Sequence, residues 1–199
     1  PISTHTTSSA ASDVYKRQPI YRPLCVIVPL PLERIIFLAS IEKFHREVEI
    51  EDWCTRDMEH TRSGNDILVR LDPGEEIHTS LRKLADDVDF DAAAITSGIG
   101  RTRDNQYGYM NSEGVYKRRP LDSPSELVSL SGNIARTENG DAFTHIHCCW
   151  SDDDNNVHAG HMFESTVHVV AEIHIRVMEH ATMTRCPLAE LELLGLQFD

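Results

Sequence analysis

The clearest β-pattern in this chain is Val167-His-Val-Val-Ala-Glu-Ile-His-Ile-Arg-Val177. Apolar residues, Val169 among them, hold every second position of the stretch, and mostly polar residues alternate with them. Successive side chains of a strand point to opposite faces of a sheet, so this period of two is typical of a half-buried β-strand. The apolar face is predicted to be core. The polar face is left for solvent, a subunit partner or a ligand.

Shorter patterns upstream predict the rest of a sheet. Strands are predicted at residues 67–71, 90–97, 126–134 and 142–150, and a hairpin of edge strands at 106–109 and 114–117. Gly98-Ile-Gly100 is predicted to close the second of these strands, and Asn139-Gly140 is a hairpin turn signal. Turns of this kind join antiparallel neighbours.

One helix is predicted over residues 75–87. Ile77, Leu81 and Leu84 recur at helical spacing, and acidic residues lie in the first turn, where the helix dipole favours them. Asp72-Pro-Gly74 ends the preceding strand and is predicted to cap the helix, because an Asp side chain accepts from free backbone N–H groups. The predicted fold class is therefore α/β of the α+β kind, a mainly antiparallel β-sheet with one principal helix.

The charge balance narrows the range of partners. The 199 residues include 32 Asp and Glu against 19 Lys and Arg, which gives a formal net charge of -13. Such a charge repels a phosphate backbone, so unaided DNA binding is disfavoured. Apolar residues are 40% and charged residues 26% of the chain, as in an ordinary globular protein.

Composition divides the chain near residue 58. Residues 1–57 are predicted to be a poorly ordered or non-native extension, residues 58–185 a domain, and residues 186–199 a C-terminal tail segment that packs on the domain. The apolar run 24–32 contains two prolines and falls well short of the roughly 20 residues of a spanning helix, so no membrane segment is predicted. The five cysteines form no C-x-x-C pair, and a cytoplasmic location is expected.

Three histidines carry the strongest chemical signal. His145 and His147 stand two apart on a predicted strand, so both side chains project from the same face. His161 follows a turn and directly succeeds Gly160, which lets the returning strand approach closely. Three histidines that converge from adjacent strands and leave a fourth position open are typical of catalytic-type zinc sites.

The same residues allow other interpretations. A His-x-His pair on a polar sheet face can simply hydrogen-bond with its neighbours or with water, and His158, Cys149 and Glu164 compete as ligands. Glu172, on the polar face of the last strand, is a weak candidate for a catalytic general base or a partner of a metal ligand; the alternative is a solvated carboxylate.

Five blocks of the sequence together resemble the PPC domain, the plants and prokaryotes conserved domain. In chain order they are Arg70-Leu-Asp-Pro-Gly-Glu-Glu-Ile77, Ala94-Ile-Thr-Ser-Gly-Ile-Gly100, Glu126-Leu-Val-Ser-Leu-Ser-Gly-Asn-Ile134, Phe143-Thr-His-Ile-His147 and Gly160-His-Met-Phe163. The resemblance implies a PPC-domain fold assembled as a homotrimer. Prokaryotic members are commonly described as DNA-binding on account of plant relatives, in which a separate AT-hook contacts DNA. This sequence contains no Arg-Gly-Arg-Pro hook.

The fold is also similar to that of acetolactate decarboxylase, in which a His-x-His pair and a later Gly-His supply three zinc ligands. By this resemblance His145, His147 and His161 would hold zinc. Three functions are compatible with these observations. They are a homotrimeric, DNA-associated or regulatory protein with a three-histidine metal site, a metal-dependent lyase or hydrolase acting on a small carbonyl or carboxylate substrate, and a non-catalytic oligomeric scaffold. The first is preferred, and an enzymatic role is expected less than a non-enzymatic one.

Overall fold

The computed structural model describes residues 57–188 and 193–198. In chain order the elements are β1 (Glu59–Ser63), β2 (Asp66–Leu71), α1 (Ile77–Val88), β3 (Ala93–Met110), β4 (Tyr116–Leu121), β5 (Ser125–Thr137), β6 (Ala142–Ser151), β7 (Val157–Val177), β8 (Met183–Pro187) and β9 (Leu194–Phe198). The predicted extension over residues 1–57 lies outside the described residues except for its last position. Within the described ranges, no helix is long and apolar enough to cross a membrane.

The nine strands of the described chain form a single sheet. The main order is β1-β2-β7-β3-β5-β8-β9, while β4 pairs with β3, and β6 pairs with both β5 and β7. Every pairing is antiparallel except the one between β5 and β8. The predicted fold class, a mainly antiparallel sheet with one principal helix, is confirmed.

Four long strands close into a ring. β3 pairs with β5, β5 with β6, β6 with β7, and β7 returns to β3. Apolar side chains from this ring and from β2 form the main core, and α1 contacts β6 and β7. The largest fully buried side chains include Trp150, Ile67, Leu71, Leu127, Leu130, Ile134, Ile146 and Met162.

The cap of α1 differs from the prediction. The helix begins at residue 77, and its N-cap is Glu76, whose carboxylate accepts from the backbone N–H groups of His78 and Thr79 at 3.2 and 2.8 Å. Asp72 does not cap it, because its carboxylate is held by the guanidinium of Arg70 at 3.1 Å. The three apolar residues that predict the helix are all buried.

Two strands depart from the predicted pattern. Gly98-Ile-Gly100 does not close a strand but lies inside β3, where a side chain at Gly100 would place its Cβ 2.2 Å from the carbonyl oxygen of Val170. Val169 is 50% exposed, although strict alternation assigns it to the core. The cause is a register shift between β3 and β7 around Gly100, which adds residues to β7 and turns Val169 outward.

The last two strands extend the sheet beyond β5. β8 joins β5 in parallel, with Arg136 opposite Thr184 and Thr137 opposite Arg185. β9 pairs antiparallel with β8 along its whole length. Met183 of β8 is buried in a small second core beside Ala135. Through β8, the C-terminal region brings Arg185 to β5.

Candidate metal centre

The sheet brings the three predicted histidines together. His145 and His147 lie on β6, and His161 on β7 is the direct cross-strand partner of His147. One ring nitrogen from each residue lies within 4.8 Å of the others. The ring centroids are 5.1 to 5.3 Å apart. This three-histidine cluster forms because residues two apart on a strand, and residues directly opposite each other in an antiparallel pair, share one face of a sheet.

Glycines let the backbones around the cluster approach closely. A Cβ at Gly160 would lie 2.4 Å from the carbonyl oxygen of Gly108 on β3, so the close approach predicted for Gly160 is confirmed. On the other side of β6, a Cβ at Gly132 of β5 would lie 2.0 Å from the carbonyl oxygen of His145. Real Cβ atoms do not approach oxygens this closely. The spacing of the strands at the cluster therefore depends on both glycines.

His145 and His161 contact different neighbouring side chains. Nδ1 of His145 lies 3.3 Å from a guanidinium nitrogen of Arg185, and since a guanidinium only donates, Nδ1 is the acceptor. His161 packs against the rings of Tyr116 and Phe163, with centroids 5.1 and 4.7 Å away. Its Nδ1 is buried without a hydrogen-bond partner. An unsatisfied buried nitrogen is costly, and coordination of a metal ion is one way to satisfy an imidazole nitrogen.

A fourth histidine, His78 of α1, forms hydrogen bonds with both strands that carry the cluster. Its Nε2 donates to the carbonyl oxygen of Met162 at 3.2 Å, and its Nδ1 therefore accepts from the hydroxyl of Thr144 at 2.7 Å. Met162 and Thr144 directly adjoin His161 and His145 in the chain. His78 thus ties α1 to the two strands that carry the cluster. Sequence reasoning missed it, because nothing in the helix pattern distinguishes a half-buried histidine from a fully exposed one.

The surroundings of the cluster favour the neutral form of the His145 and His161 imidazoles. The pKa of both His145 and His161 is lowered to about 4, mainly by burial; the charge of Arg185 contributes at His145, and neighbouring imidazoles contribute at both rings. Both rings are therefore neutral at physiological pH. Neutral imidazole is the form that binds a metal ion, so no proton must leave before coordination.

The donor set fits a zinc-type ion. Zinc–nitrogen bonds of about 2.0–2.1 Å at tetrahedral angles place ligand nitrogens roughly 3.3 Å apart. The ring nitrogens of the cluster lie within 4.8 Å of one another. Three protein ligands would leave one position open, as in catalytic-type sites.

The alternative metal ligands considered from the sequence, His158, Cys149 and Glu164, are not part of the three-histidine cluster. His158 bonds to Asp152 at 2.9 Å and to the hydroxyl of Tyr107 at 3.1 Å, and Glu164 accepts from Gln106 at 2.9 Å. Cys149 belongs to the same strand as His147 but is not part of the cluster.

Within one chain, Glu172, the weak candidate for a catalytic base, lies away from the three-histidine cluster. Glu172 lies eleven positions beyond His161 on β7, where it faces Arg70 of β2 and Ile99 of β3. It lines surface cavities with these residues rather than the cavities that His161 lines. Within one chain, its carboxylate does not adjoin the histidines.

An open cavity of about 760 Å³ adjoins the cluster. His145 and His161 form part of its wall, together with Arg118 and Arg185. The remaining described lining is mainly apolar or aromatic: Val115, Tyr116, Phe143, Phe163, Leu188, Leu193 and Leu194, with Glu113 and Gly114 from the turn before β4. The cluster is thus accessible to a small molecule.

Replacement of Gly132 tests how the strand spacing supports the cluster. Gly132→Ala is expected to push β6 away from β5 at His145, and we expect this overpacking to lower the free energy of unfolding by about 1–3 kcal/mol or more. Because His145 moves with β6, zinc affinity should fall as well. Denaturant unfolding and zinc titration measure the two effects. Gly140→Ala is the control for zinc affinity: its φ of +88° makes alanine costly, so stability should fall here too, but a Cβ would touch nothing within 4 Å and zinc affinity should not change. Unchanged zinc affinity in Gly132→Ala would contradict the prediction.

Comparison with solved structures identifies relatives of the same fold. A plant- and prokaryote-conserved (PPC) protein from Pyrococcus horikoshii is 28% identical with a TM-score of 0.59, covering 71% of this chain and 96% of its own. A metal-containing protein from Archaeoglobus fulgidus is 26% identical with a TM-score of 0.60, covering 72% of this chain and 99% of its own. A candidate DNA-binding protein from Bacteroides thetaiotaomicron is 20% identical with a TM-score of 0.65, covering 72% of this chain and 99% of its own, and shows the shared fold alone.

Comparison of sequences leads to the same family. No curated protein sequence matches this chain significantly. The family model of the Plants and Prokaryotes Conserved (PCC) domain matches residues 58–180, which is more than half of the chain. This match spans α1, the ring of long strands and all three histidines of the cluster. The resemblance found in the sequence blocks is thereby confirmed, and the chain belongs to the Plants and Prokaryotes Conserved domain family.

Proposed function

We propose that this protein binds one zinc ion per chain through His145, His147 and His161. The observation that carries the proposal is the convergence of three imidazoles, with one ring nitrogen of each within 4.8 Å of the others, on one sheet face. The buried, unpartnered Nδ1 of His161 supports it. A structural relative from Archaeoglobus fulgidus is described as a metal-containing protein, which is consistent with a metal in this fold.

The residues around the cluster have distinct tasks in this proposal. A bound zinc ion would supply a Lewis acid with an open coordination position. His78 orients both ligand-bearing strands through its two hydrogen bonds. Tyr116 and Phe163 shield one side of His161 from water. Arg185 lies 3.3 Å from Nδ1 of His145 and would release this hydrogen bond when the neutral ring binds zinc, because neither tautomer could then accept at Nδ1.

Titration of the full chain with cobalt(II), and then with zinc against a chromophoric chelator, tests the metal site. We expect one equivalent of cobalt per chain, with the visible absorption of a four-coordinate ion, and its displacement by one equivalent of zinc. No saturable binding, or a binding stoichiometry unrelated to the number of chains, would overturn the proposal.

We further propose that the protein assembles as a homotrimer through an exposed apolar face. Ile99, Val128 and Val169, each about half exposed, line one shallow depression on the outside of the sheet. The register shift that turns Val169 outward creates part of this face. Apolar patches of this kind on a soluble domain mark association surfaces.

Sedimentation or light scattering tests the assembly. The full chain is expected at three times its monomer mass, and Ile99→Lys or Val169→Lys should shift it toward the monomer. Val157→Lys is the control, because Val157 is 72% exposed but does not line the depression. A monomeric wild type, or an equal shift with Val157→Lys, would contradict the proposed interface.

A DNA-associated, regulatory role is the second candidate. Two structural relatives are described as candidate DNA-binding proteins. On this chain, Lys117 and Arg119 of β4 form no ion pair with a described residue. Arg101 and Arg103 do not extend them into one patch, since Arg101 pairs with Glu126 at 2.8 Å and Arg103 with Asp104.

Fluorescence anisotropy with a labelled DNA duplex tests the DNA-associated role. Binding that weakens with salt, and that is lost in the double variant Lys117→Gln, Arg119→Gln, is the expected result if β4 contacts phosphates. Absence of binding at low ionic strength would exclude direct DNA contact by this chain.

A further inference from the structure

A row of residues connects the histidine cluster to Arg118. His147 of β6 lies opposite His161 of β7, His161 lies opposite Gly108 of β3, and Gly108 lies opposite Arg118 of β4. Directly opposed residues of antiparallel strands share a face of the sheet. Arg118 is therefore on the face of the cluster. Gly108 stands between Arg118 and His161 and contributes no side chain, and the ring of Phe163 lies over it, 3.1 Å from where a Cβ would be.

The guanidinium of Arg118 is oriented by an aromatic ring rather than by an acid. Its central carbon lies 4.0 Å from the centroid of the Phe163 ring, a cation–π contact. Phe163 itself packs on His161. Arg118 forms no ion pair with a described residue, so its charge is free to meet a ligand.

A second guanidinium reaches the same cavity from β8. Arg185 is only 5% exposed, and it donates to the carbonyl oxygen of Leu194 at 3.0 Å and to the side-chain oxygen of Asn133 at 2.6 Å. Its Nε is buried without a partner. No carboxylate of the residues described pairs with it, and burial lowers its pKa. A buried cation without a counter-ion is unfavourable, and an incoming anion relieves that cost.

The walls of the cavity indicate the rest of the ligand. Phe143, Phe163, Leu188 and Leu194 line it, and such a surface favours an apolar body over a highly charged one. Glu113 is the one acidic residue in its described lining, and its side chain is exposed at the turn before β4. The cavity thus combines two cationic groups with apolar walls. A small molecule with a single anionic head and an apolar tail matches this combination.

We propose that the cavity beside the histidine cluster binds a small organic carboxylate. The carboxylate head lies between Arg118 and Arg185, next to the cluster, and the apolar tail packs on the aromatic and leucine walls. The inference deepens the proposed metal site by naming its ligand class, and it rests on that proposal only for the oxygen that would approach the open metal position. The pairing with the two arginines follows from this chain's own residues.

Calorimetric titration of the full chain tests the ligand class. The probes are hexanoate, its neutral analogue hexanamide, and inorganic phosphate, each with metal-free protein and with zinc-loaded protein. Hexanoate is expected to bind at least about tenfold more tightly than hexanamide, because charge-assisted hydrogen bonds to arginine are lost with the amide. Equal affinity for hexanoate and hexanamide would overturn the proposal. Phosphate binding more tightly than hexanoate would overturn the assignment to carboxylates.

Two variants locate the binding to this cavity. Arg118→Gln is expected to weaken hexanoate binding about tenfold. Arg119→Gln removes the same charge from the adjacent residue, whose side chain points to the other face of β4, and should leave binding unchanged. Arg185→Met, checked for its fold by circular dichroism, should weaken hexanoate binding as Arg118→Gln does. Equal effects of Arg118→Gln and Arg119→Gln would show that general surface charge is responsible and would overturn the proposal.

The outcomes separate this inference from the metal proposal. If zinc binds stoichiometrically but hexanoate does not bind at millimolar concentration, the carboxylate site is wrong and the metal site stands. If hexanoate binds metal-free protein and responds to Arg118→Gln while no zinc binds, the carboxylate site stands and the metal proposal fails.

Discussion

Replacement of His147 by alanine is expected to abolish stoichiometric zinc binding. Loss of one of three protein ligands leaves two imidazoles, and the expected drop in affinity exceeds the roughly 10–100-fold that removal of an outer hydrogen-bond partner of a ligand costs. His147 is the exposed member of the cluster, so its truncation removes little buried contact. Zinc content after gel filtration, measured by elemental analysis, should fall from about one ion per chain to near zero.

A matched control distinguishes the loss of a zinc ligand from the loss of any exposed histidine. His180 is exposed in the turn after β7 and does not belong to the cluster. His180→Ala should retain its zinc, and both variants should keep the circular dichroism spectrum of the wild type. Zinc retained in His147→Ala, or lost equally in His180→Ala, would refute the ligand assignment.

Replacement of Trp150 by alanine is expected to have the largest effect on stability. Trp150 is fully buried inside the ring of β3, β5, β6 and β7, and its indole N–H donates to the hydroxyl of Thr102 at 2.9 Å. Truncation leaves a large cavity and an unsatisfied buried hydroxyl, and should cost about 3–5 kcal/mol in the free energy of unfolding. We expect a fall in melting temperature of roughly 10 °C or more.

Trp150→Phe divides this cost between packing and hydrogen bonding. Phenylalanine fills much of the volume but leaves Thr102, which is also fully buried, without its donor. The expected cost is about 1–3 kcal/mol. Chemical denaturation followed by far-UV circular dichroism measures both variants. A loss below about 1 kcal/mol for Trp150→Ala would mean that the ring collapses around the missing indole, contrary to its close packing.

Local periodicity of the sequence is sufficient to predict most of the fold. Alternation in β7 and β6, the helical spacing of Ile77, Leu81 and Leu84, and the turn at Asn139-Gly140 each depend on neighbours within a few residues. The cluster was predictable for a related reason. His145 and His147 are adjacent on one strand face, and Gly160 identifies the close approach that brings His161 to them.

Features that depend on distant parts of the chain were not predictable. The register shift that exposes Val169 arises where β7 must match β3, and alternation within β7 alone contains no trace of it. Glu172 belongs to the polar set of residues that alternation predicts for β7, but in the structure it lies opposite Arg70 and Ile99. Arg185 reaches His145 only because β8 docks in parallel on β5, a pairing of residues about 50 positions apart that no local pattern indicates.

The parallel docking of β8 on β5 also sets the order in which the cavity is completed during synthesis. The three histidines have left the ribosome once residue 161 has emerged, whereas Arg185 and Leu194 follow with the last strands. Arg118 and the three histidines are therefore synthesised before Arg185, the second arginine of the cavity. A chain released early, before β8, would carry the histidines without Arg185. Arg185 and the leucines that follow it thus complete the wall of the cavity last.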